Sequence, residues 1–323
     1  MTRKLYHNFF NTLLLFIVIL TSTSSCQKDL YYPVPNTSVE MRFNWNGASP
    51  DPQSEMRLYV FPETGHAYTK TFDDYNGGEV KLPKGQHKAI ALTVDEEVMY
   101  VMANKYETAM VTTNTTTVLS PMKLMSMTAA PRPNGTQNEA VKMQASQIFA
   151  DTCSTMTIVE GENVIVMEPK LIVDTINITI RGIQNIEYLK ASSAAISGLP
   201  LGFNLAKMEP IYDPCTMVTG LEQSGENSVS GKMVVFGRPV KQDNPRVLLT
   251  FYTVLADGSK YYFNFDVTET VAVDSPDNPE EPDAPQKNIE IIIEDVTLPE
   301  PTQSGGFNPQ MGEWEEVHKE IMV

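Results

Sequence analysis

The chain has 323 residues, a formal charge of −16 and 41 % apolar residues. That apolar content can fill real cores and excludes a chain disordered throughout, while 40 acidic residues against 24 basic ones repel phosphate backbones and exclude nucleic acid as an expected partner. Three cysteines without a Cys-x-x-Cys pair give no support for a structural zinc site.

Arg3 and Lys4 form a short positive region, followed by the apolar run Leu13–Leu20 and the small polar stretch Thr21–Ser25. Charge, apolar core and small residues in that order read as a signal peptide over residues 1–25. The apolar run is shorter than the roughly 20 residues that a membrane-spanning helix needs. Small residues immediately before Cys26 suit cleavage by a lipoprotein signal peptidase, which makes Cys26 the lipid-attachment site. Thr23-Ser24-Ser25-Cys26 resembles the relaxed lipobox of Bacteroidales. The expected location is therefore the outer membrane, with the chain held by lipid on Cys26. Gln27-Lys28-Asp29 partly resembles the Lys-plus-acid signal that sends such lipoproteins to the cell surface. One acyl chain holds a membrane only weakly, so a multiply acylated cysteine is implied. Removing residues 1–25 takes away Arg3 and Lys4 and no acids, leaving 22 basic and 40 acidic residues, or −18.

Residues 26–37 read as a tether. Val39–Trp45 then alternates apolar and polar, the period-2 pattern of a half-buried strand. Further strands are expected at Met56–Phe61, Val80–Leu82, His87–Val94 and Val98–Ala103, punctuated by turns such as Pro83-Lys84-Gly85. Residues 104–145, rich in Thr, Asn and Met, read as a long excursion with short strands or one helical turn. Strands resume at Ser154–Val159 and Asn163–Met167. Pro169 disfavours a continuing ladder and marks the expected domain boundary, giving a first domain at 38–168 and a second at 169–323. In the second, strands are expected at Leu171–Ile180, Ser230–Phe236, Val247–Leu255, Lys260–Val267 and Asn288–Leu298. Asp257-Gly258 is a hairpin signal. Asp274–Lys287 reads as a solvated loop, and the chain closes on Val317–Val323. No long amphipathic helix appears. The fold class is all-β, two tandem sandwiches with few short helices.

The search for chemistry finds no catalytic residues. His66, His87 and His318 sit in no metal motif and read as surface or edge residues. No nucleophile elbow, phosphate loop or dinucleotide fingerprint is present. The paired acids Glu96-Glu97, Glu280-Glu281 and Glu315-Glu316 read as solvated surface. No cofactor or metal is expected, and the protein is expected not to be an enzyme. Trp45 is in phase with Met41 and Phe43, which favours a core position, and Trp314 is expected to touch a core. Cys153 and Cys215 could form one disulfide in an oxidising compartment, but they fall in different predicted domains, so two buried thiols is the preferred reading.

Taken in order, the lipobox, Asp29–Pro33, a first strand ending Phe43-Asn44-Trp45, Met56–Pro62, Leu82–Gly85, Phe265–Thr268 and Gly305–Pro309 followed by Trp314 resemble a Bacteroidales lipoprotein family related to the fimbrillins, especially its minor anchor and accessory subunits. The resemblance implies transthyretin-like sandwiches, fimbrial subunits as partners, and a role in fimbria anchoring, assembly or adhesion. It also implies strand donation between neighbouring subunits, a form of β-augmentation. Val317, Ile321 and Val323 share one face of the C-terminal segment and suit a strand-exchange or edge strand; Lys319 on that face weakens the pattern. A strand paired within its own domain is the alternative. Arg42 and Arg57 lie within or beside predicted strands, which leans away from the removal of the first strand by an arginine-specific protease. The competing functional reading is a surface glycan-binding lipoprotein for nutrient capture, which requires exposed, coplanar aromatic rings near Trp314.

Overall fold

The computed structural model describes residues 36–48, 55–123, 130–274, 288–300 and 313–317. They are almost wholly β. The first seven-stranded unit comprises β1 (Asn36–Phe43), β2 (Glu55–Pro62), β3 (Tyr68–Phe72), β4 (Gly77–Pro83), β5 (Gly85–Val94), β9 (Phe149–Ile158) and β10 (Asn163–Met167). The second comprises β12 (Asp174–Arg181), β13 (Leu189–Asn204), β14 (Glu209–Gly225), β15 (Ser228–Val235), β16 (Leu248–Leu255), β17 (Lys260–Asp266) and β18 (Asn288–Glu294). Between β5 and β9 lie β6 (Met99–Met102), β7 (Met110–Thr113) and β8 (Ala140–Met143); β11 (Lys170–Leu171) and β19 (Trp314–Glu316) are short edge strands. The only α-helix among the described residues is the single turn α1 (Thr268–Val271).

One strand order occurs twice. In the first unit a small sheet β10-β1-β4 faces a larger one, β9-β5-β2-β3; in the second, β18-β12-β15 faces β17-β16-β13-β14. Each small sheet is thus the last, first and fourth strand of its unit. The pairing follows from side-chain alternation. Val39, Met41 and Phe43 of β1 point inward with Val80, Leu82 and Met167, and meet Met56, Leu58, Val60, Ala89, Ala91, Met156 and Ile158 of the opposing sheet. In the second unit Ile176, Ile178 and Ile180 sit beside Ile289, Ile291 and Ile293 and face Ile196, Met217, Leu249, Phe251 and Phe263. Burying each Val, Leu, Ile, Phe or Met side chain among these contributes about 1.5–3 kcal/mol.

The excursion between β5 and β9 is structured, and two of its strands pair with the second unit. β7 runs antiparallel to the end of β13, and β8 runs parallel to β14. Its apolar residues cover two sheet faces that would otherwise be wet. Met99, Tyr106, Ala109 and Val111 lie on the outer face of the first unit's larger sheet, against Tyr59, Phe61, Ile90 and Leu92. Val118, Leu119 and Ala130 cover Ala195, Val218 and Tyr252 on the outer face of the second. A single apolar cluster therefore runs from Tyr59 and Ile90 through the excursion to Ile178 and Phe251.

The paired strands β13 and β14, 16 and 17 residues long, and the five-residue β3 are not marked by the sequence pattern. In Leu189–Asn204 small residues dominate, and Gly198, Pro200 and Gly202 interrupt the alternation. The pairing with β14 absorbs them in register shifts between Ile196 and Leu199 and between Pro200 and Gly202. Asp257-Gly258 forms the expected turn from β16 to β17, with Gly258 at φ +89°.

Candidate functional site

Two places bear on the expected strand chemistry: the seat of the first strand and the outer edge of β17. β1 occupies the centre of its sheet. It pairs in parallel with β10 from Val39↔Asn163 to Phe43↔Met167, and antiparallel with β4 from Asn36↔Pro83 to Arg42↔Gly77. Val39 and Met41 are fully buried, and Phe43 meets Phe72 edge-to-face at 5.4 Å. The first sandwich is closed by its own first strand. Gly77, at φ +114°, lets β4 approach so closely that a Cβ there would collide with the Met41 carbonyl.

Neither arginine considered above lies in a loop. Arg42 is in β1, its side chain exposed and paired with Glu40 at 2.9 Å. Arg57 is in β2, 17 % exposed and held by Glu96 at 2.7 Å and Glu55 at 3.0 Å. Its side chain also donates to Thr71 Oγ1, and although burial lowers its pKa, the interactions with Glu96, Tyr59 and Glu55 together raise it. Cleavage after either residue would require backbone already paired on both sides to leave its sheet.

At the other end of the chain, β19 lies parallel to β17, with Lys260↔Trp314, Tyr261↔Glu315 and Tyr262↔Glu316. The Val317 amide donates to the Tyr262 carbonyl at 3.0 Å, and its half-buried side chain packs on the main apolar cluster. Glu316 accepts from Asn264 Nδ2 at 2.8 Å and from the Tyr262 hydroxyl at 3.2 Å. Partial burial, with the Glu316 carboxylate adding to it, raises the pKa of Tyr262. Ile321, Val323 and His318 lie outside the described residues, as does Cys26. Of the predicted edge-strand residues the described structure places Val317 alone, on the margin of its own sheet.

Trp314 packs edge-to-face on Tyr252 at 5.4 Å and 83°, and Tyr252 is buried, with its hydroxyl donating to the Pro131 carbonyl. These rings do not make the coplanar exposed platform that a stacking site for sugars requires. Trp45 is half-buried; it packs on Tyr75 and Phe149 and donates from Nε1 to the Tyr75 carbonyl at 2.9 Å.

Two expectations are corrected. His87 is 3 % exposed and not a surface residue: one ring nitrogen bonds the Pro83 carbonyl at 2.8 Å. Cys153 is half-buried and not a core thiol, because β9 carries it near the strand's more exposed middle. Cys215 is buried, and desolvation, with the charge of Glu139 adding to it, pushes its thiol up to about 12. Both cysteines are free thiols. His66 is exposed. Among the described residues no group of His, Cys, Asp and Glu is placed to hold a metal ion.

Two clefts remain. One of about 450 Å³ lies over Phe61, Lys88, Tyr106 and Glu107, where Lys88 pairs with Glu107 at 2.7 Å and covers the Tyr106 ring at 4.8 Å. Another, of about 310 Å³, is walled by Pro200, Pro214, Pro239 and Pro245 beside Tyr212. Sequence reading found neither, since each joins residues distant in the chain.

Comparisons with known proteins place this fold. A Bacteroides ovatus protein provisionally named fimbrium anchoring subunit Fim4B is 20 % identical over 337 residues, an alignment that spans 94 % of this chain and 96 % of that protein. A solved structure from Bacteroides ovatus, provisionally described as an adhesin, superposes with a TM-score of 0.59 at 17 % identity, covering 86 % of this chain and 99 % of that one. This is a likeness of fold. The fimbrial anchor protein Mfa2 of Porphyromonas gingivalis aligns more loosely, with a TM-score of 0.42 at 8 % identity over 67 % of this chain and 77 % of that one. A family model described as a domain of unknown function, DUF5119, matches residues 24–220, more than half of the sequence, and the chain belongs to that family.

Proposed function

We propose that this protein is a surface-anchored fimbrial subunit that anchors the fimbria or serves its assembly or adhesion, without enzymatic activity. The observation that carries this reading is the alignment, over 94 % of this chain and 96 % of the relative, with a protein named as a fimbrium anchoring subunit. A relative matched along both lengths shares its whole architecture and not one widespread module.

The seat of β1 supports the anchoring role in particular. A subunit that receives a strand from its neighbour needs an empty groove, and here Val39, Met41 and Phe43 fill it. In this reading the chain keeps its first strand, and the lipid on Cys26, with palmitate among its acyl chains, ties that strand to the outer membrane at the cell surface. The protein would meet its fimbrial partner through strand addition elsewhere, and the β17 edge with Val317, Ile321 and Val323 is the proposed place.

Affinity purification of the tagged protein from its native host tests the proposal, with fimbrial subunits expected in the eluate and shed fimbriae expected when the gene is deleted. Deletion that leaves fimbria amount, length and retention unchanged would overturn it. Cys26→Ala tests the anchor separately, and the variant should leave the membrane fraction.

A further inference from the structure

The strand order that occurs twice has a mechanical consequence. In each unit the entering strand lies beside and parallel to the seventh, leaving strand, beyond which the described residues add one short edge strand, β11 beside β9 in the first unit and β19 beside β17 in the second. β1 runs beside β10 over Val39–Phe43, and β12 runs beside β18 over Thr175–Arg181. The entering strand is also the central strand of its sheet, gripped on its other side by β4 or β15. Tension along the chain therefore draws the start of the entering strand one way and the end of the leaving strand the other. The two neighbours slide along their common axis.

Backbone hydrogen bonds between strands lie across that axis. Under sliding they are strained together, whereas a strand peeled from one end gives them up in turn, each worth only about 0.5–1.5 kcal/mol net. Side chains add resistance. Val39, Met41 and Phe43 are interleaved with Val80, Leu82 and Met167, and Ile176, Ile178 and Ile180 with Ile289, Ile291 and Ile293. Two polar bridges cross the same boundary in the second unit: Asn177 Nδ2 donates to Glu290 at 2.7 Å, and Arg181 pairs with Glu294. β19, in contrast, meets β17 over Lys260–Tyr262 alone.

We infer that each unit is a shear clamp, so that the protein carries tension between its N-terminal tether and its far end without unfolding. The inference takes from the proposed function only the direction in which force arrives; the geometry stands without it.

Single-molecule force spectroscopy on the mature chain, without lipid, tests it. Pulled between its two termini, the chain should show a weak early event as β19 leaves, then two high-force events, one per unit. A second geometry uses the N-terminus and a bio-orthogonal handle at position 84. That residue adjoins Pro83, the partner of Asn36 at the start of β1, so pulling there peels β1 from one end. The first unit's high-force event should then be lost, because forced unfolding reports the barrier along the pulled direction. Equal forces in the two geometries, or a terminal pull without high-force events, would overturn the inference. That result would leave fimbrial association untouched, and a failed purification would leave the force curves unchanged.

Discussion

The two units share one strand order and differ in how tightly it is closed. In the second, β14 pairs with both β13 and β15, so the two sheets run into one another along one side. In the first, β3 ends beside β2, and β4 begins a separate sheet. Their cores differ in the same sense. The first sets four methionines (Met41, Met56, Met156 and Met167) among eight aliphatic residues and two phenylalanines, and the second stacks six isoleucines between β12 and β18. Methionine adapts to irregular space, whereas branched side chains lock into one arrangement. The unit nearer the predicted tether is the more adaptable of the two, and the other is stiffened by a continuous sheet and by the pairing of β7 and β8 with β13 and β14.

The sharpest way to break this contrast is Ile178→Ala. It should lower stability by about 2–5 kcal/mol, since a fully buried side chain leaves a cavity. Because Ile178 belongs to the cluster that also holds Tyr59 and Ile90, denaturant unfolding should move as a whole. Met41→Ala should cost a similar or smaller amount, yet appear as an early separate transition, because its cluster is confined to the first unit. Coincident shifts for both variants would erase the distinction.

Gly77→Ala probes the seat of β1 alone. The backbone strain costs about 1–3 kcal/mol, and the collision with the Met41 carbonyl must displace β1 besides. Hydrogen exchange should quicken in Asn36–Phe43 before it does in β12.

A smaller effect is expected at Asp151, near the junction of the units. Burial raises its pKa, opposed by hydrogen bonds from the Glu168 and Thr152 amides. A raised folded-state pKa means that its contribution to stability is fullest below the unfolded pKa and is lost as pH rises through the folded one. The stability of the parent relative to Asp151→Asn should therefore decline with rising pH across that acidic window. The smallest change is expected from Arg181→Ala. Its pair with Glu294 is exposed on both sides, so equilibrium stability should fall by no more than about 1 kcal/mol.

Much of the β architecture was legible from alternation. Val39–Trp45 predicted β1 with its buried face, Asp257-Gly258 predicted a hairpin, and Asn163–Met167 coincides with β10. The candidate site was less so. Val317 was named as an edge residue, but what it touches depends on Tyr262, more than fifty positions away. His87 follows a turn and so reads as exposed, but β5 is paired on both sides and the ring is buried against the Pro83 carbonyl. β13 and β14 stayed hidden because Gly and Pro interrupt them, and only pairing partners on both sides keep such stretches extended.

The class of the fold, the period of its strands, the sites of many of its turns and the scarcity of helix are written along the chain, because they rest on neighbours a few residues apart. Tertiary structure alone decided that the excursion would join the second unit's strands while covering the first unit's sheet, that β1 would fill its own groove, and that entering and leaving strands would lie side by side. Those outcomes depend on which apolar faces remain uncovered once the sheets have formed, and burying them requires contacts between residues far apart along the chain.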